Sequence, residues 1–250
     1  MHFDILMPAI LFTVTFTAMF LGRKAESKLK TTVEEREFKT RDTILLVAMI
    51  AIAISVVIFI PTLAIMALFL FSYSSLLFTV SYTFSDLKIS RLRLYLGGFA
   101  VASTVSAIAG YLGILPANIR LIGVASFASL AAISLCVLLY VQHLPAIKPR
   151  WYIGALSPIL FLLLFAFFGN TFIWFPYLLD VYGIIFAILI VLYLNSLFTW
   201  KTVFIFAALL TGMDIILVWV TGTMVQAAQQ ISGLGLPVLV AFPTLPIIST

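Results

Sequence analysis

Hydrophobic positions run along this chain in long unbroken blocks, separated by short polar joints, rather than in strict alternation. A block of about eighteen or more apolar residues is long enough to cross a ~30 Å hydrocarbon core as a helix. The pattern therefore predicts an all-α fold, a multi-pass transmembrane helical bundle of about eight spans: 3–22, 43–60, 62–84, 94–114, 120–142, 151–168, 176–198 and 202–224. A β-barrel would show alternating inward and outward residues, which these blocks do not. The run 43–84 is too long for one span at ~1.5 Å per residue, so Pro61, the breaker near its middle, divides it into two spans joined by a tight turn. Pro116 ends the fourth span, and Gly169-Asn170-Thr171 closes the sixth. Pro176 suits the first turn of the next helix, where its missing N–H has no partner to lose. The joint Thr199-Trp200-Lys201 is so short that the last span must return antiparallel to the one before it.

Composition agrees with a bilayer as solvent. Of the 250 residues, 64% are hydrophobic and 9% are charged, so the whole chain reads as one integral-membrane domain. Small residues recur within two spans: Gly98, Ala102, Ser106 and Gly110, and then Ala128, Ala132 and Cys136. Such residues let helix backbones approach closely, so both sets are expected to be packing seams, with Cys136 a packing residue and not a nucleophile.

Charge is confined to joints and sets an orientation. Residues 23–42 hold seven of the fourteen basic residues and five of the nine acids, a mixed-charge loop. With eight spans, the joints 23–42, 86–93, 147–150 and 201 fall on one side and carry thirteen basic residues, leaving Arg120 on the other. The positive-inside rule makes that side cytoplasmic and puts the N-terminus outside. Because the basic residues sit between apolar blocks, the net charge of +5 points to a lipid bilayer partner and to no nucleic acid. The N-terminal block lacks a basic leader and a small-x-small cleavage site, and reads as the first span.

Little is left that could carry chemistry. There is no phosphate-binding glycine loop, no C-x-x-C pair and no H-E-x-x-H helix, so no metal and no cofactor is expected. His2 and His143 lie far apart near span ends, and each reads as an interfacial histidine. Beyond Asp86 the chain holds two acids, Asp180 and Asp214. Asp214 lies mid-block in TGMDIILVWVTGTMVQAA, residues 211–228, where an acid costs about 3 kcal/mol on insertion scales and marks a functional site by default. The bland alternative is a single tolerated polar group facing a neighbouring helix. Aspartyl chemistry needs two carboxyls close enough to share a proton. Asp180 and Asp214 differ by ~9 Å in depth on their antiparallel helices, too far for a dyad. Asp180 reads as an interfacial anchor near a helix start.

The segment around Asp214 resembles the first catalytic-aspartate region of the presenilin and signal-peptide-peptidase family of intramembrane aspartyl proteases, more closely the signal-peptide-peptidase branch. In that family a Tyr-Asp pair is followed at fixed spacing by valine, threonine, Met-Val and alanine. Here stand Met213-Asp214, Val218, Thr221, Met224-Val225 and Ala228. Upstream, YGIIFAI at 182–188 is similar to the family's preceding span, and downstream LPVLVAFP at 236–243 is similar to its Pro-Ile-Lys-Leu-Leu-Phe-Pro segment. The resemblance covers about 174–243.

It implies an intramembrane endopeptidase acting on transmembrane peptides, with Asp214 catalytic and Met213 and Thr211 supporting it. Met213 stands where the family has tyrosine, which removes a hydroxyl beside the acid. The Gly-x-Gly-Asp and Pro-Ala-Leu motifs do not occur. The resemblance thus implies an N-terminal part, inactive alone, with the second aspartate supplied by a C-terminal part, or by a homodimer in which two copies of Asp214 meet. The tail 225–250 is expected to be partly extended, with a strand near 236–242. Pro237, Val238, Leu239, Val240, Phe242 and Pro243 would border a substrate stretched out of its helix. The competing class is a non-catalytic membrane protein, either a scaffold or a small ion-coupled transporter using Asp214.

Overall fold

Apolar residues and internally satisfied backbone make helices the economical way through lipid, and the chain is built from them. The computed structural model describes residues 9, 11–19, 39–83, 85, 89–143 and 150–237, which form helices and short connections with no strand among them. In chain order the helices are α1 (11–19), α2 (Thr40–Val57), α3 (Thr62–Thr83), α4 (Ile89–Ala109), α5 (Ala117–His143), α6 (Arg150–Phe168), α7 (Leu179–Leu197), α8 (Trp200–Ile215) and α9 (Thr223–Ser232). A wider π-helical turn extends α8 through Ile216–Val220, whereas the chain kinks within Gly110–Ile114, at Gly113 with φ 101, and within Trp174–Leu178, at the extended Phe175. Six segments among the described residues are long and apolar enough to cross a membrane, and the apolar stretch of α7, Leu179–Leu192, is shorter.

Hydroxyl side chains survive in these apolar helices because they donate back along their own helix. Thr13 bonds the carbonyl of Ala9 at 2.8 Å, Thr79 that of Ser75 at 2.9 Å, and Ser134 that of Leu130 at 2.8 Å. Helix starts are closed in the same local way. The Lys39 N–H donates to the Asp42 carboxylate at 3.0 Å at the head of α2, and Thr199 and Thr202 form a reciprocal cap on α8. The long apolar run breaks where expected: α2 ends at Val57, Phe59 and Ile60 turn, and α3 starts directly after Pro61.

The last apolar span, expected to reach 224, stops instead at Val220, because Gly222 adopts φ +67 and ends the helix. Residues 225–232, expected as the start of a partly extended tail, belong instead to the helix Thr223–Ser232. The expected strand falls mostly at 238–242, outside the described residues, while Leu236 and Pro237 are buried in a turn.

The fold divides into two compact units, one of residues 1–69 and 179–250 and one of residues 70–178. In the second unit, Tyr73 and Phe161 meet edge to face with centroids 4.5 Å apart, and Phe165 meets Trp174 at 5.3 Å. Arg120 closes the α4–α5 connection, its Nε and Nη2 both donating to the Leu115 carbonyl at 3.2 Å.

The seam between α4 and α5 differs from the expected one. The buried stripe of α4 is Leu92, Leu96, Ala100, Ser103, Ala107 and Gly110, whereas Gly98 and Ala102 are exposed. On α5, Ala128, Ala132 and Cys136 all face outward, so Cys136 is not a packing residue. The reason is helical geometry. At 3.6 residues per turn a strict four-residue repeat advances about 40° per step, and from 98 to 110 it rotates about 120° off its starting face. The observed stripe takes three steps of four and two of three, which together cancel that drift.

In the first unit α2 packs along α8 and α9. Val47, Met213 and Leu217 form its buried centre, flanked by Ile50, Ala51, Ile54, Phe206, Leu210 and Met224. Phe69 and Phe186 add an edge-to-face pair at 5.4 Å.

Candidate functional site

Asp214 occupies the last turn of α8, the helix capped at Thr199 and buried through Thr202, Met213 and Leu217. Residues 213 and 217 lie one turn apart and face α2. Residue 214 is rotated about 100° from 213, and its side chain is half-buried at the edge of that contact. The opposite flank is open: Thr211, Gly212, Ile215 and Ile216 are exposed, and a Cβ built on Gly212 would meet nothing within 4 Å.

The backbone around the acid is not a regular α-helix. The Ile216 N–H is shared between the carbonyls of Gly212 and Met213. The π-helical turn follows at once, closed by the Thr221 N–H on the Ile216 carbonyl at 3.0 Å. Widened turns of this kind interrupt the i to i−4 ladder and recur at functional positions. The Thr221 hydroxyl bonds the Leu217 carbonyl at 3.2 Å and stands 2.8 Å from the Thr223 hydroxyl. Gly222, with nothing near its Cβ position, then turns the chain into α9.

No hydrogen bond or ion pair holds the Asp214 carboxylate among the described residues, and no three His, Cys, Asp or Glu side chains gather into a possible metal site there. Of the residues expected to support it, Thr211 donates its hydroxyl to the Ala207 carbonyl at 2.9 Å, within its own helix. Met213 is buried in the apolar cluster with Val47 and Leu217, so its side chain packs on α2. Asp180 lies in the first turn of α7, half-buried, and Asp42 is spent on the α2 cap.

His143 is the exposed last residue of α5, while His2 lies outside the described residues, as does most of the charged loop 23–42. Of the expected substrate-bordering residues only Pro237 is described; Val238, Leu239, Val240, Phe242 and Pro243 are not. The glycines of Gly233-Leu234-Gly235 close α9, with Gly235 at φ +59 and the Leu234 N–H on the Ile231 carbonyl at 3.0 Å.

Two features near the acid are not part of the expected site. One is the π-helical turn. The other is α9, an uncharged amphipathic helix whose inward positions Met224, Ala227 and Ile231 carry a helical period that was legible in principle. No family model, curated protein or solved structure matches the chain. What fold and site define together is a class: a helical protein with helices long and apolar enough to cross a membrane, carrying a carboxylate that has no hydrogen-bond or ion-pair partner among the described residues, beside a break in an apolar helix.

Proposed function

We propose that this chain is the N-terminal part of an intramembrane aspartyl protease of the signal-peptide-peptidase type, with Asp214 one half of the catalytic pair. The observation that carries the reading is the Asp214 carboxylate, half-buried in an apolar helix without a partner among the described residues and followed at once by a π-helical turn and the Gly222 break. An acid kept inside a membrane for structure is paired or bonded, because an unpaired one costs several kcal/mol. An acid kept for chemistry stands free for a substrate or a second carboxyl.

The second carboxyl would come from a C-terminal part bearing Gly-x-Gly-Asp. Two acids at close range cannot both ionise, so one carboxylate takes a proton from water while the other, protonated, donates to the scissile carbonyl. Water attacks directly, without a covalent intermediate. The substrate is a transmembrane peptide. The basic joints face the cytoplasm and the N-terminus lies outside, in an arrangement of about eight spans. The exposed flank of α8 at Thr211, Gly212 and Ile215 is where the second acid would approach.

The test is reconstitution of a version that continues through a Gly-x-Gly-Asp helix, with cleavage of a transmembrane peptide followed in liposomes. Cleavage is expected to vanish in Asp214→Ala, and cleavage that survives this change refutes the assignment. The same exposed flank also suits a second copy of this chain meeting its partner at Asp214. In that case the 250 residues alone cleave, and a cross-linker at the exposed Thr211 or Ile215 joins two chains. Proton-coupled flux in liposomes that is lost in Asp214→Asn would instead establish the transporter.

A further inference from the structure

We infer that α9 is a hinged lid beside Asp214, held shut by the Gln230 side chain and opened to admit an extended peptide. The inference rests on the protease reading for what passes beneath the lid, and on geometry for the lid itself.

The hinge lies between α8 and α9. The π-helical turn Ile216–Val220 has already lost the regular ladder, and Gly222 follows at φ +67 with open space around it. A left-handed glycine can change its dihedral angles without the steric penalty that a Cβ imposes, so rotation there is cheap.

The lid is short. It has ten residues, no charge, and an inward face of Met224, Ala227 and Ile231. Met224 packs against the Val47, Met213 and Leu217 cluster, the wall against which the Asp214 turn is built. Lifting α9 therefore uncovers the side of that turn which faces α2.

The latch is a polar contact across 170 positions of sequence: Gln230 Nε2 donates to the Ile60 carbonyl at 3.2 Å. That carbonyl belongs to the break between α2 and α3. The amides of Ala64 and Ile65, in the first turn of α3, both donate to the Pro61 carbonyl instead. The Gln230 amide thus satisfies a carbonyl that helix geometry left over. One hydrogen bond between neutral groups is strong enough to hold a lid and weak enough to release it.

The test uses the chain in nanodiscs with its single cysteine removed by Cys136→Ser. A reporter cysteine is placed at the buried position 227 by Ala227→Cys, or in a second background at 224 by Met224→Cys. Labelling by a membrane-impermeant maleimide is then timed with and without Gln230→Leu. Breaking the latch is expected to speed labelling at both positions by about tenfold or more. Labelling of Val225→Cys, exposed in the closed form, should not change. Equal rates with and without Gln230→Leu overturn the lid. So does a parallel rise at 225, which means general loosening. Labelling needs no proteolysis, so loss of the lid leaves the protease assignment standing, and labelling in an Asp214→Ala background separates the two.

Discussion

Met213 and Asp214 are adjacent in sequence and opposite in what they do for stability, and substituting each in turn separates a packing residue from a chemical one. Met213 is 8% exposed and packed on Val47 and Leu217. Truncation to alanine removes its transfer free energy and leaves a cavity, and core Met→Ala changes cost about 2–5 kcal/mol. The cluster's flanking residues are only partly buried, which places Met213→Ala near the lower end of that range, about 2 kcal/mol. Asp214 has no hydrogen-bond partner to lose among the described residues. A mid-span acid costs about 2.5–3.5 kcal/mol on insertion scales, and half-burial retains only part of that penalty. Asp214→Asn keeps the shape and removes the charge, so it should leave stability unchanged or raise it by up to about 1 kcal/mol. The assay is equilibrium unfolding of the purified chain in mixed micelles at pH 7, followed by helical circular dichroism. A loss of about 1.5 kcal/mol or more in Asp214→Asn, the worth of a hydrogen bond to a charged group, would refute the reasoning. The carboxylate would then be a structural bond and the catalytic reading would lose its basis.

The α4–α5 seam gives a second contrast in the same assay. A Cβ on Gly123 would stand 2.6 Å from Leu115 Cδ1 and 3.0 Å from Phe167 Cδ1, whereas one on Gly98 meets nothing within 4 Å. Gly123→Ala should therefore destabilise by about 1–3 kcal/mol, and Gly98→Ala should be neutral or slightly stabilising; the reverse order would restore the strict four-residue seam. Arg120→Leu should cost about 1–3 kcal/mol, because it removes both guanidinium donors from the Leu115 carbonyl. Arg120→Lys should recover only part of this, since an ammonium cannot present the same two-nitrogen fork, and an unchanged midpoint in Arg120→Leu would show that the hook carries no load.

What was legible in the chain was whatever is decided within a few residues. Pro61 breaks the run 43–84 because it removes a backbone donor and clashes with the preceding turn, and neither effect needs a partner elsewhere. The Thr199 joint is short because one reciprocal cap with Thr202 suffices to start α8. The packing faces were harder. Gly98, Ala102 and Ser106 are as small as Ala100, Ser103 and Ala107, and composition alone does not choose between stripes one or two residues apart. In an aqueous protein the polar face would have made that choice. In a span apolar all round only the exact period does, and a repeat of four misses it.

The site divides along the same line. Asp214 announces itself because an acid in an apolar helix is costly wherever it points, and that cost is a property of the residue and its span. Whether the acid is paired is a property of the fold, and the open flank at Thr211, Gly212 and Ile215 could be read only from the packing of α8 on α2. The Gln230 contact is further out of reach: nothing near residue 230 points to a carbonyl at residue 60. Yet its ingredients are local. Pro61 leaves a carbonyl over, Gly222 supplies a turn, and an uncharged ten-residue helix carries a glutamine on its inward side. A broken helix in lipid creates a polar group that something must satisfy. The break that made the topology readable is therefore also what calls α9 into place beside Asp214.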